Sequence, residues 1–480
     1  MVKLLINLGL FVAVLFLFVT CKKGDKTGNL APETVIVPGM INLSEDQSLI
    51  TKVRLAWMGT DPDGYVTHYL VKVGNDPWFS TTKTDSTFLF TIPEGHQYSK
   101  ITVTVKAVDN SQVEDATPAV LNVPVRNTNP IIDFDFKFST KDSTIIITSL
   151  YWTASDPDGN DNLREIQIRA NNGPWTALGK TVKEVHIIPT NPNQVGTTTG
   201  KLFDGSGVPY SGQLENLKIG DTNVFHIKAV DLALAESELD TLSGIFIYPK
   251  TSDLLFVSGD ETAYTLYRNL ISKTYKSLDV LNLAVNDGAR QPAKWDPTFT
   301  LLINQYDKVV FTSDNKKYVN ASTGVSNFLL EATAKSILNY FNNDGKIFTI
   351  AFLSVDSSLS VTSPIFGAHP ISGVSYSKGS AILTFGIPSL IGQESGYPSF
   401  QPAGSPAIFP YYPSTDASVI YKGDLQKRGG WEGPEILGTK RGAGSNTSQV
   451  FMGVYMYNFS HQPTELEQLF DHVLNKEFNW

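Results

Sequence analysis

Two stretches of the chain carry the same anchors in the same order, and this internal repeat restricts the fold more than any other feature. Leu55-Ala56-Trp57 followed by Asp61-Pro62-Asp63-Gly64 returns as Leu150-Tyr151-Trp152 followed by Asp156-Pro157-Asp158-Gly159. Each is succeeded by an alternating segment, Val66 to Val73 and Leu163 to Ala170, and then by Pro77-Trp78 and Pro174-Trp175. Farther on, Val103-Thr104-Val105-Lys106-Ala107-Val108-Asp109 is matched by Phe225-His226-Ile227-Lys228-Ala229-Val230-Asp231. Several anchors in one order identify a duplicated structural unit. Both copies consist of short period-two runs broken by Gly, Pro, Asn and Asp turns, which predicts two antiparallel β-sandwiches. The second copy is longer. Its extra residues fall within 189–217, a Gly/Thr/Asn/Pro-rich stretch without core periodicity, which predicts a long surface loop.

The pattern resembles the fibronectin type III and related immunoglobulin-like folds over residues 34–128 and 129–250. Trp57 and Trp152 match the buried Trp of the second strand, and the Lys-Ala-Val-Asp segments match the sixth. In that fold the Asp-Pro-Asp-Gly turn and the end of the sixth strand emerge at the same end of the sandwich. The resemblance therefore implies that Asp61, Asp63 and Asp109 converge, as do Asp156, Asp158 and Asp231. Three carboxylates would suit Ca²⁺, which takes six to eight oxygen ligands. The simpler reading is that Asp caps its own turn backbone and Gly permits positive φ.

After Pro249 the period changes. Leu254 to Val257 is a continuous apolar run, followed by helical spacing of Tyr264, Tyr267, Leu270 and Ile271. Further apolar runs lie at Leu278 to Leu283, Val309 to Thr312 and Ile347 to Leu353, and 328–341 is an amphipathic helix. Apolar strands alternating with helices predict a parallel sheet covered on both faces. The order resembles the class I glutamine amidotransferase-like, flavodoxin-type three-layer fold over 251–480. Members that act as amidotransferases need a Cys nucleophile on a strand-to-helix elbow, and the chain's one cysteine, Cys21, lies far from this region. Ser354 with His369 as base is the weak catalytic candidate, without the glycines of a Gly-x-Ser-x-Gly elbow. Open α/β sheets bind ligands outside the carboxyl ends of their strands. That rule nominates Asp260, Glu261, Ser313, Asp314, Ser354 and Asp356 as a rim. It is acidic and hydroxylic and has no basic clamp, which disfavours phosphate ligands. Residues 392–448 form a Gly/Pro-rich insertion holding Tyr397, Phe400, Phe409, Tyr411, Tyr412, Tyr421 and Trp431. These aromatics either fold inward or stand exposed for sugars or a partner protein.

The placement of the single cysteine bears on location. Lys3 is followed by a mostly apolar run from Leu4 to Val19, then by Thr20, Cys21 and Lys22-Lys23. A charged start and a short apolar stretch read as a signal peptide over 1–21. Its end resembles the lipobox of bacterial lipoproteins, loose and aromatic as in Bacteroidota, which implies lipidation of Cys21 and an outer-membrane address, with side and leaflet open. The alternative is a plain N-terminal anchor. Residues 22–33 are a polar linker.

The 480 residues carry 38 Lys and Arg against 47 Asp and Glu, a net charge of −9, which argues against a nucleic-acid partner. These features lead to an expected lipid-anchored envelope protein. Its sandwiches would act as spacers presenting a non-catalytic α/β domain to a ligand, an envelope protein or a carbohydrate. The alternatives are an extracytoplasmic hydrolase of glycans or peptides and a calcium-stiffened adhesin.

Overall fold

The computed structural model describes residues 28–37, 49–284, 291–314, 316–320, 323–353, 363–374 and 379–479. The segment around Cys21, together with Ser354 and Asp356, lies outside the described residues. Among those described, no helix is long and apolar enough to cross a membrane. The chain forms two compact units: one of residues 1–129, 156–163 and 231–235, the other of 130–155, 164–230 and 236–480.

The first unit holds the first repeat copy. Its strands are β1 (Glu33–Ile36), β2 (Leu49–Ile50), β3 (Lys52–Thr60), β4 (Val66–Val73), β5 (Phe79–Thr81), β6 (Asp85–Leu89), β7 (Tyr98–Asp109) and β8 (Ala119–Arg126). One sheet has the order β1-β3-β6, and the other β2-β8-β7-β4-β5. This is a fibronectin type III-like sandwich. Period-two alternation on β3 sends Val53, Leu55 and Trp57 inward against Val103, Val105 and Ala107 of β7. Burying Trp57 requires a partner for its indole N–H, and the Lys83 carbonyl accepts it at 3.0 Å.

The second copy contributes β9 (Ile131–Phe134), β10 (Ser143–Ile145), β11 (Thr148–Ser155), β12 (Leu163–Ala170), β13 (Thr176–Gly179), β14 (Glu184–Pro189), β15 (Gly196–Phe203), β16 (Pro209–Ile219), β17 (Thr222–Asp231) and β18 (Asp240–Tyr248). Its sheets run β16-β15-β14-β11-β9 and β10-β18-β17-β12-β13. The repeat anchors keep their contacts. Trp152 donates to the Val182 carbonyl at 2.9 Å, as Trp57 does to Lys83. The Lys106 ammonium lies 4.7 Å above the Trp78 ring and pairs with Glu114, and Lys228 lies 4.8 Å above Trp175 and pairs with Glu236. The Pro-Trp and Lys-Ala-Val-Asp anchors thus recur together because they touch.

The expected loop at 189–217 is corrected. It is a β-hairpin, β15–β16, that widens one sheet of the second sandwich, with Leu202, Leu214 and Leu217 fully buried. Register shifts interrupt its alternation. Gly200 has no side chain because a Cβ there would sit 2.6 Å from the Ile187 side chain.

The α/β domain belongs to the same unit as most of the second sandwich. Its sheet contains β19 (Leu254–Gly259), β20 (Asp279–Asn282), β21 (Lys308–Ser313), β24 (Lys346–Ala351) and the strand Gln449–Met452, while β22 (Lys317–Val319) and β23 (Ser326–Phe328) form a separate hairpin. The parallel part runs β20-β19-β21-β24-(449–452), the second-first-third-fourth-fifth order of doubly wound flavodoxin-like sheets. Three antiparallel strands, 436–441, 417–423 and 390–392, extend it, so the sheet is mixed. Alternate residues serve opposite faces. Leu254, Phe256, Val310 and Phe348 meet helices Tyr264–Thr274 and Pro463–Asp471. Leu255, Val257, Val309 and Phe311 meet helices Thr298–Ile303 and Leu329–Asn342. In the insertion Tyr397, Phe400, Tyr411, Tyr421 and Trp431 are buried, Phe409 is half-buried, and Tyr412 is 47% exposed. The inward reading of these aromatics holds for all but Tyr412.

The second core also takes in Ile146, Ile147 and Ile188 of the second sandwich, packed with Leu281, Trp295 and Phe299. Beside it, the Ser149 hydroxyl is 2.8 Å from His186 Nδ1 and 3.1 Å from the Thr298 hydroxyl, and Lys294 pairs with Glu184.

Trp57→Ala removes the centre of the first core and is expected to destabilise that sandwich by about 3–5 kcal/mol, measured by chemical denaturation; a cost below ~1 kcal/mol would contradict its placement.

Candidate functional site

The carboxyl ends of β19 and β21, the first and third strands of the sheet, flank the point where strand order reverses. Asp260 follows β19, is 1% exposed, and accepts from the Ala263 N–H at 2.9 Å, in the turn that leads into the helix beginning at Tyr264. The Tyr455 hydroxyl donates to the same carboxylate at 3.2 Å. Ser313 is buried and its hydroxyl donates to the Asp314 carbonyl at 3.1 Å. Asp314, half-buried, accepts from the Lys316 N–H at 2.8 Å. Glu261 is exposed. Four of the six residues nominated from the sequence therefore form one acidic edge, and Ser354 and Asp356 lie outside the described residues.

Burial pushes the Asp260 carboxyl up, against the pull of the Ala263 N–H and the Tyr455 hydroxyl. Burial also raises Asp314; the Lys316 N–H opposes this and the Asp260 charge adds to it. Two tyrosines absent from the sequence reading complete the edge. Tyr318 donates to the Gly259 carbonyl at 3.2 Å, and its pKa is raised by burial and then by Asp314, Asp260 and Glu261. Half-buried Tyr455 is raised by burial and then by Asp260. Beside Tyr455, Tyr457 is 40% exposed, with ring centres 5.9 Å apart. Tyr455 and Tyr457 arrive from a turn some two hundred residues away in sequence, so no local spacing could have linked them to Asp260. The edge offers carboxylates, hydroxyls and an aromatic face, the groups that recognise polyhydroxylated or cationic ligands.

His369, the candidate base, lies in the core. It is 1% exposed, its ring packs 5.1 Å from that of Phe451, and its Nε2 has no hydrogen-bond partner among the described residues. Burial, with the nearby Arg441 charge, lowers its pKa to about 3. It is a neutral core side chain.

The aspartates of both repeat copies accept from hydrogen-bond donors of the chain itself. Asp109 accepts from the Ser111 and Val113 N–H groups, both at 2.8 Å, and from the Asn29 amide. Asp63 accepts from the Leu30 N–H at 3.1 Å, and Asp61 from the Asp63 N–H at 3.2 Å. In the second copy Asp231 accepts from the Ala235 N–H at 2.7 Å and from the Asn127 amide. Asp158 accepts from the Thr128 N–H at 2.7 Å and the Thr51 N–H at 3.0 Å, and Asp156 from the Asp158 N–H at 2.8 Å. The same pair of groups, an Asn amide and the next residue's N–H, is thus held twice, within Asn29-Leu30-Ala31-Pro32 and Asn127-Thr128-Asn129-Pro130. In each copy these carboxylates clamp the segment leading into it. Among the described residues no group of three or more His, Cys, Asp or Glu is disposed to hold a metal ion.

Asp156 is 5% exposed and one of its oxygens has no hydrogen-bond partner among the described residues. Burial raises its pKa to about 6; the Asp158 N–H opposes this, and the Asp158 and Asp231 charges add to it. The folded unit therefore holds a proton between about pH 4 and 6 that the unfolded chain lacks, and stability falls as pH rises through that window. Asp156→Asn is predicted to be more stable than the parent at pH 7.5, with the difference shrinking toward pH 4 in melts at matched ionic strength. A difference independent of pH would contradict the assignment.

No protein-family model matches the sequence, and no curated protein matches it. Among solved structures the chain is similar to the fibronectin(III)-like modules of CbhA from Clostridium thermocellum, at 13% identity and TM-score 0.18, over 46% of this chain and 97% of that one. It is also similar to a two-domain fibronectin type III segment of chicken tenascin, at 14% identity and TM-score 0.20, over 41% and 94%. These likenesses concern the β-sandwich fold alone.

Proposed function

We propose that the chain is a lipid-anchored protein of the cell envelope, in which the sandwiches are spacers and the α/β domain binds carbohydrate at its acidic, tyrosine-flanked edge. The observation that carries this reading is the exposed Tyr457 ring beside Tyr455, with Asp260 bonded to Tyr455 and with Asp314 and Glu261 at the same edge. Aromatic faces stack on sugar rings, and carboxylates accept from sugar hydroxyls. In this proposal the domain's kinship is with non-catalytic members of the glutamine amidotransferase-like superfamily, because the only cysteine lies in the signal segment. The anchor rests on Cys21 at the end of the apolar segment.

A second reading, a glycan hydrolase acting through this edge, draws on Asp260 and Asp314, whose raised pKa values are the property a general acid needs. Titration of a panel of soluble oligosaccharides into the protein, with chromatography of the same mixtures, separates the two. Binding without new products supports the lectin-like reading, and steady product release lost in Asp314→Asn supports the hydrolase. The double substitution Tyr455→Ala and Tyr457→Ala is expected to weaken binding about tenfold, and unchanged affinity would remove the site from this edge. Metabolic labelling with palmitate is expected to mark the parent and not Cys21→Ser; label persisting in the variant would refute the anchor.

A further inference from the structure

We propose that a cavity of 520 Å³ in the second unit, walled by Lys137, Lys141, Lys316 and Lys317, binds a small organic anion with an apolar or ring-shaped body. This site adjoins the acidic edge at Lys316, whose N–H donates to Asp314, but asks for the opposite charge. Its volume lies in the range of ligand pockets, about 300–1,000 Å³. The chain carries a net charge of −9, yet the lining sets four lysines against one acid, Asp142. A concave surface of one sign focuses its field and concentrates ions of the opposite sign.

The rest of the lining fixes what the anion must be attached to. Ile145, Leu281, Phe299 and Leu302 supply apolar contact, and Phe299 and Leu302 are themselves buried core. Ser149 and Thr298 also line the cavity, and Ser149 is 5% exposed. Their hydroxyls lie 3.1 Å apart, and the Ser149 hydroxyl is 2.8 Å from His186 Nδ1. This built polar floor gives a ligand hydroxyl or carbonyl a fixed partner. Inorganic anions would use the lysines' charge but leave the apolar wall wet, and neutral hydrocarbons would use the wall but gain nothing from that charge. The chemistry that satisfies both is a carboxylate, sulfonate or phosphate on an apolar or ring body.

The lysines come from two segments about 175 residues apart, 137–141 and 316–317, and are brought to one cavity by the core that the second sandwich shares with the α/β domain.

Calorimetric titration of the full chain with naphthalene-2-sulfonate and with its uncharged counterpart, naphthalene-2-methanol, tests the proposal. The sulfonate is expected to bind at one site, at least about tenfold more tightly than the alcohol, and to weaken as salt rises. The double variant Lys141→Gln and Lys317→Gln alters two exposed side chains. It is expected to lose about tenfold in sulfonate affinity without changing that of the alcohol. Equal affinity for the two probes, insensitivity to salt, or unchanged sulfonate binding in a variant that melts like the parent would each overturn it. So would the absence of any sulfonate binding.

Discussion

The interaction on which the rest of the second unit depends is the buried cluster in which Ile146, Ile147 and Ile188 pack with Leu281, Trp295 and Phe299. A β-sandwich and an open α/β sheet each have their own core, and neither needs the other to satisfy its backbone. Here one apolar cluster crosses from sandwich residues to α/β residues. The Ser149–His186–Thr298 contacts and the Lys294–Glu184 pair lie beside it. Burial at that seam removes apolar surface from water on both sides at about 25 cal/mol per Å². The second sandwich is therefore a structural wall of the α/β body, and only the first copy of the repeat has a core free of that arrangement.

The repeat carries a second constraint, paid in carboxylates. Each copy places Asp side chains where two turns meet and uses them to hold an incoming Asn amide and the following N–H. The backbone N–H groups of Leu30 and Thr128 are thereby given carboxylate acceptors. The cost is visible at Asp156, where three carboxylates share one buried corner and one oxygen has no partner among the described residues.

Much of this architecture was legible in the sequence. The two sandwiches followed from alternation and from anchors that touch, Lys106 on Trp78 and Lys228 on Trp175, so the repeat recorded a contact as well as a pattern. The parallel strands followed from continuous apolar runs such as Leu254 to Val257, which only a sheet covered on both faces can bury. The hairpin 196–219 was not legible, because Gly and Thr replace large residues where neighbouring strands crowd, as at Gly200. The antiparallel extension was hidden for a related reason: strands such as 390–392 are short and separated by Gly and Pro. At the candidate edge, Asp260 and Asp314 could be named from strand ends. Tyr318, Tyr455 and Tyr457 could not, since the contacts that bring them there are tertiary. The Asn-x-x-Pro segments preceded both copies in plain view, but their role needed the partner carboxylates.

The central claim is that the second sandwich and the α/β domain unfold as one body through their shared core. Denaturant-dependent hydrogen exchange on the full chain measures this directly. Amides in β11 and β14 and in the helices Thr298–Ile303 and Leu329–Asn342 are expected to share one opening free energy and one denaturant slope. Two separate values, with the sandwich opening while the helices stay protected, would contradict it.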